Sequence, residues 1–229
     1  MPRVMSLSVE LALGLATAAA FAGVIAGGPR AARWSRIVTL AGAAAAFVAA
    51  VVTLGADAVW FFEALRMSAF TQALKGGIAA ALLASVLRPR PGDAFARART
   101  VDPFFRLVVA MALSVAASAG DIVVLWIALD IASLAGIIAV ATAGGWSASE
   151  AAVRAMVRTW LPSSLACALG VIVVGGIAGA TRFTDLEVAI PELRGEPALL
   201  LGLALIGGSI VARAARFAAS SLLAYRTTH

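Results

Sequence analysis

Seven long apolar stretches, separated by short polar or basic breaks, organise this 229-residue chain. They run over roughly 7–27, 37–56, 66–87, 104–120, 122–143, 151–178 and 198–223. None shows the period-two alternation of a barrel strand, and most reach the roughly 20 residues an α-helix needs to cross a bilayer. Inside hydrocarbon every backbone N–H and C=O must be paired internally, so apolar runs of this length predict helices. The breaks are Gly28-Pro29-Arg30, Arg88-Pro89-Arg90-Pro91-Gly92, Gly144-Gly145-Trp146 and an acidic segment over 182–197. The first stretch lacks a basic leader region and a clear cleavage site, which predicts a retained helix. The expected fold is all-α: a single membrane domain, 1–229, polytopic, with about seven transmembrane helices.

Composition agrees with that pattern. Apolar residues make up 62% and charged residues 13% of the chain, against about 45–50% and about 25% in soluble proteins, which leaves too little polar surface to face water. The net charge of +6 is a topology signal. Arg30, Arg33, Arg36, Arg88, Arg90, Arg97, Arg99, Arg154, Arg158, Arg213, Arg216 and Arg226 fall on one side of the alternating spans. Arg3, Arg66, Arg182 and Arg194 fall on the other, with most acids of the last loop. The positive-inside rule then predicts an N-terminus outside and a C-terminus inside, and nucleic acid is not an expected partner.

Several chemistries drop out. Cys167 is the only cysteine, so no internal disulfide forms. The only histidine is His229, the last residue printed, which leaves no histidine inside the membrane to ligate haem or a transition metal. No phosphate-binding G-x-x-x-x-G-K-[ST] loop is present. A retinal Schiff base needs a lysine in the last helix, and the only lysine is Lys75, in the third. No cofactor and no metal are expected.

What remains is intramembrane charge. Asp130 lies near the middle of the fifth stretch, where a charge costs about 2.5–3.5 kcal/mol on insertion scales and marks a functional site by default. The alternative is a structural pair with a nearby arginine or hydroxyl. Ser147-Ala-Ser-Glu150 fits a capping box. Glu150, Arg154 and Arg158 recur every four residues and form one charged stripe, read as an interfacial cap with snorkelling arginines or, for Arg154, as the partner of an acid in helix 5. Pro162 should bend the helix by clashing with the carbonyl of Arg158. Lys75 is a buried relay or a snorkelling lysine, and Arg213 and Arg216 raise the same question, with snorkelling the default. Gly23-x-x-x-Gly27 and Gly175-x-x-x-Gly179 permit close helix packing.

Four segments together carry a resemblance. Ser118-Ala-Gly-Asp-Ile-Val-Val-Leu-Trp-Ile-Ala-Leu-Asp130-Ile-Ala-Ser-Leu134 resembles a helix-5 motif that ends Glu-Leu-Leu-Ser-Leu. Ser149-Glu150-Ala-Ala-Val-Arg154, then Ser163-Ser164 and Gly170, resembles the next segment at matching spacing. Gly179-Ala-Thr-Arg-Phe-Thr-Asp-Leu186 resembles a Gly-Ala-Thr-Gly-Ser-Thr-Asp-Leu turn, and Ala69-Phe-Thr-Gln-Ala-Leu-Lys75 resembles Ala-Phe-Ser-x-Phe-Phe-Lys. The family they resemble is the antiporter-like N subunit of bacterial respiratory complex I (NADH:quinone oxidoreductase), in its N-terminal half only. Motifs cover roughly 65–190.

The resemblance implies a non-catalytic-core subunit of a redox-driven proton translocase in the bacterial cytoplasmic membrane. Its partners would be other membrane subunits and lipid, with quinone met only indirectly. Carried over, Asp130 takes the place of a helix-5 glutamate and Arg154 that of a helix-6 lysine, the two forming a charged pair. Arg213 is the nearest candidate for a helix-7 lysine, and Lys75 joins these as a candidate for proton translocation. An aspartate shortens the acid by one methylene. A guanidinium effectively never deprotonates, so arginine biases a neighbouring acid without passing a proton on. No Pro-Phe-His-type break surrounds Arg213. The family has about fourteen helices in two inverted repeats, so a path built between repeats is not expected within these seven. Two other readings stand beside this one: a membrane scaffold or assembly subunit that has lost pumping, and a small cation/proton antiporter subunit.

Overall fold

The structure is a computed structural model that describes residues 7–87, 98–143, 146–193 and 195–226. It is helical almost throughout: α1 (Ser8–Ala26), α2 (Gly28–Val52), α3 (Ala69–Leu87), α4 (Ala98–Ala117), α5 (Ile122–Ala143), α6 (Trp146–Ala155), a π-helical turn (Met156–Trp160), α7 (Leu161–Ala178), α8 (Phe183–Glu192) and α9 (Pro197–Arg226). Six helical spans among the described residues are long and apolar enough to cross a membrane. The chain is an all-α polytopic membrane protein. Helix α4, 20 residues long, packs against α1, α3 and α5 but is not one of these six, whereas the sequence predicts about seven spans.

Large apolar side chains point outward over most of the surface, among them Leu15, Ile25, Phe70, Ile172, Val188 and Val211. In water this would be an enormous apolar patch; in a bilayer it is the lipid-facing surface. The interior is lined instead by small residues. Ala20, Ala43, Ala46 and Ala79 sit between α1, α2 and α3, with Val9, Leu13 and Leu107. A second cluster joins α5, α7, α8 and α9 through Ile122, Val171, Val174, Leu186 and Leu199. Lipid tails are as apolar as leucine, so helices associate by close van der Waals approach, which small residues allow. Glycine serves this at two crossings. A Cβ on Gly42 would overlap Ala16 of α1, and one on Gly170 of α7 would stand 2.7 Å from the carbonyl oxygen of Gly202 in α9. The two G-x-x-x-G pairs work differently: Gly27 and Gly179, both at φ +65°, are turn residues that end α1 and α7.

The stretch expected over 66–87 begins with a strand. Ala58–Trp60 (β1) and Leu65–Met67 (β2) form a short antiparallel hairpin in which Ala58 pairs with Met67. Its tip, Phe61-Phe62-Glu63, holds three consecutive non-glycine residues at positive φ. The α4–α5 turn lies against this hairpin: Arg66 N–H donates to Ser118 O and Gly120 N–H to Ala64 O. The α7–α8 turn closes on the same place, with Ile122 N–H donating to Thr181 O and Phe183 N–H to Gly120 O. Three connections are thereby stitched at one end, here the hairpin end, as alternating passes require. Arg30, Arg33 and Arg36 start α2 at the opposite end.

Other boundaries differ from expectation for local reasons. Helix α2 starts at Gly28 with Pro29 in its first turn, where proline's missing N–H and fixed φ fit; the expected break is therefore a tight turn. Within the acidic 182–197 segment lies α8, a ten-residue amphipathic helix burying Leu186. Helix α6 begins at Trp146, so Ser147 stands inside its first turn instead of capping it, and the Ser147 side chain lies outside the described residues. The bend expected at Pro162 takes the form of the π turn, closed by Leu161 N–H donating to Met156 O.

Candidate functional site: two buried ion pairs

Asp130 meets a cation deep in the bundle, and that cation is Arg213. Nη2 of Arg213 lies 2.6 Å from Oδ1 of Asp130, an ion pair without hydrogen-bond alignment. The other carboxylate oxygen accepts the hydroxyl of Ser164 at 2.5 Å. Arg213 Nε donates to Ser163 Oγ at 3.3 Å, and Ser163 Oγ donates to the carbonyl of Trp160 at 2.9 Å. Three helices converge here: α5 supplies the acid, α7 two serines, α9 the arginine. The side chains are 19% exposed for Asp130 and 7% for Arg213, so this arginine does not snorkel.

Local chemistry explains the convergence. The π turn adds a residue to one helical turn just before Leu161-Pro162, which sets the face on which Ser163 and Ser164 emerge. The crossing of Gly170 with Gly202 brings α9 against α7, and Ser209 and Arg213, one turn apart, are both buried on α9. Asp130 itself is placed by the start of its helix. Asp121 caps α5, its Oδ1 accepting Val123 N–H at 2.7 Å, and its Oδ2 accepts the Thr181 hydroxyl at 2.6 Å.

A second pair lies between α1 and α3. Lys75 Nζ stands 2.5 Å from Oε1 of Glu10, with side chains 0% and 12% exposed. Ser114 of α4 donates to the same oxygen at 3.4 Å, and Met67 Sδ of β2 is 2.8 Å from Nζ. Helix α3 is held at its start by a reciprocal cap: Thr71 N–H donates to Ser68 Oγ, and Ser68 N–H to Thr71 Oγ1. Lys75 is therefore buried and does not snorkel. Glu10 is a residue the sequence reading missed. It sits in the first turn of α1, where an acid is ordinarily explained by the helix dipole; the available signal was that a lysine buried in α3 requires an acid.

The remaining candidates stand apart. Arg154 Nη1 is 2.7 Å from Glu150 Oε1, both side chains 55% exposed, so the expected Asp130–Arg154 pair is not formed and Arg154 belongs to an exposed (i, i+4) stripe. Arg158 lies in the π turn and is exposed. Arg216 is part of α9, with its side chain outside the described residues; His229, Arg88, Arg90, Arg97 and Arg194 also lie outside them. Among the described residues no three His, Cys, Asp or Glu side chains gather as a metal site. Chemically, both pairs hold intramembrane charge, and of the two only Glu10–Lys75 consists of members that can each give up a proton. No protein family's sequence pattern matches this chain, and no curated protein matches it.

Proposed function

We propose that this chain is an antiporter-like membrane subunit of a complex I-type NADH:quinone oxidoreductase in a bacterial cytoplasmic membrane, contributing intramembrane charge to proton translocation. The observation that carries the reading is Asp130, held inside an apolar bundle by Arg213 and Ser164. A carboxylate kept there costs several kcal/mol without a partner, and such acids mark ion and proton paths. The resembling segments also come together: the one running from Ser118 to Leu134 contacts the one beginning at Gly179 through Asp121 and Thr181, and Ser163 and Ser164 meet Asp130 and Arg213. Arg213 supplies a fixed positive charge beside Asp130, because a guanidinium does not release its proton.

The scaffold reading has one observation in its favour. Both arginines that stand in lysine places, Arg154 and Arg213, are unable to relay a proton. One experiment separates the two. The protein is tagged in its native membrane, its partners are identified by mass spectrometry, and Asp130→Asn is introduced. Co-purification with other antiporter-like and iron–sulfur subunits, with proton translocation per turnover lowered in the variant, supports the proposal. Normal translocation per turnover in the variant makes the chain a scaffold, and recovery without such partners removes the redox assembly.

A further inference from the structure

The two buried pairs differ in one chemical respect: only one consists of two groups that both titrate. In Asp130–Arg213 the cation is permanent. In Glu10–Lys75 both members can lose or gain a proton, and their polar atoms are 2.5 Å apart. A buried ion pair carries a desolvation cost that offsets its Coulomb attraction, so a neutral pair of carboxylic acid and amine competes with the charged one. With arginine that alternative does not exist. We infer that Glu10 and Lys75 form a proton-exchange site at the hairpin end of the bundle, in which Lys75 Nζ–H breaks as Glu10 Oε1–H forms and Glu10 is the member that exchanges with the aqueous phase.

Exposure assigns the direction. Lys75 is enclosed, with its side chain 0% exposed, while the Glu10 side chain is 12% exposed, with its Oε2 buried and unpartnered, and lies in the first turn of α1 at the chain's entry into the bundle. Lys75 is the seventh residue of α3, about 10 Å along that helix from its hairpin end. Transfer from Lys75 to Glu10 keeps the pair neutral, so that step creates no uncompensated charge in the low-dielectric interior; release of the Glu10 proton to water leaves one negative charge, which a proton returned from water neutralises. Ser114 donates to Glu10 Oε1 at 3.4 Å. Helix α2 packs on both α1 and α3 and brings no charge to this end, since Arg30, Arg33 and Arg36 are in its first turns. On α4 the described charges, Asp102 and Arg106, pair with each other, about 12 Å along the helix from Ser114. On β2, Arg66 points outward. The exchange site therefore contains two titratable groups.

The inference deepens the proposed function and rests on it for its purpose, although the exchange itself is measurable in the isolated chain. The protein in lipid nanodiscs is followed by infrared difference spectroscopy as pH is stepped downward. The expected result is a protonated-carboxyl C=O band that disappears in Glu10→Gln and persists in Asp130→Asn. In Lys75→Arg, which keeps the positive charge, the band is displaced to lower pH by at least tenfold in proton concentration, because the fixed cation holds Glu10 ionised. Ser114→Ala, which leaves both charges in place, displaces the band to higher pH. A band unchanged in Glu10→Gln, or a titration in Lys75→Arg identical to that of the native chain, overturns the inference. The expected band displacement in Lys75→Arg, combined with unchanged proton translocation by the assembled Lys75→Arg complex, leaves the exchange site standing and overturns its place in pumping.

Discussion

Removing one charge from the Asp130–Arg213 pair should cost as much as removing both or more, so the two single costs should not add. In Asp130→Asn the Arg213 guanidinium, 7% exposed, keeps a serine hydroxyl but loses its counter-charge. Breaking a buried pair by deleting one partner costs ~3–5 kcal/mol, and an unpaired charge near a helix centre ~2.5–3.5 kcal/mol on insertion scales. The Asn amide retains an oxygen for Ser164, which places the expected cost near the shared lower edge, about 3 kcal/mol. Arg213→Met strands Asp130, which is 19% exposed and still accepts from Ser164; about 2–3 kcal/mol is expected. The double variant leaves no lone charge and should cost only about 2 kcal/mol in total, a coupling of about 3 kcal/mol. Reversible unfolding in bicelles, run as a double-mutant cycle, measures all three. Costs that add to within about 0.5 kcal/mol would show that Arg213 reaches the interface on its own and that the pair does not form in a bilayer.

Three further outcomes follow from the same geometry. Gly170→Ala places a methyl 2.7 Å from the Gly202 carbonyl oxygen, which cannot swing aside, so a loss of ~1–3 kcal/mol is expected; Gly176→Ala, with nothing within 4 Å, should be neutral or gain up to ~1 kcal/mol of helix propensity in the same unfolding assay. Arg154→Ala breaks an exposed (i, i+4) pair and should cost no more than ~0.5 kcal/mol, with proton translocation per assembled complex unchanged. In a Cys167→Ser background, Phe62→Cys should react with an impermeant maleimide on intact cells, while Arg33→Cys should react only after permeabilisation; the reverse would invert the topology.

The spans were legible because their signal is length and hydropathy, which a bilayer imposes regardless of tertiary contacts. The β-hairpin was not, since its strands are three residues each and its register is set by backbone bonds to Ser118 and Gly120 rather than by alternation. Helix α8 was hidden by its charges: Asp185, Glu187 and Glu192 read as a polar loop, while the buried contact of Leu186 that makes it amphipathic depends on α7 and α9. The π turn replaced a simple kink because a proline removes one hydrogen bond without specifying how the chain accommodates the loss.

The charged site was legible in its acid and not in its base. A carboxylate in the middle of a span declares itself, because almost nothing else explains its cost. Its partner is chosen by a helix crossing, and the crossing is chosen by Gly170 and Gly202, two residues among many similar ones. Arg154 is nearer in sequence to Asp130, yet it lies beyond the π turn at the arginine end, where Glu150 on its own helix satisfies it. Arg213 comes from the last described span, so Asp130 has no cationic partner until α6, α7, α8 and α9 are all in place. The acid thus acts as a check on completion of the bundle. A chain truncated after Ala178 should insert α5 with an uncompensated charge worth ~2.5–3.5 kcal/mol, and its half-life in cells, followed by pulse-chase, should fall well below that of the full chain. Asp130→Leu in the truncated chain should restore the half-life; if it does not, the instability comes from the lost apolar contacts of α9 and not from the orphaned carboxylate.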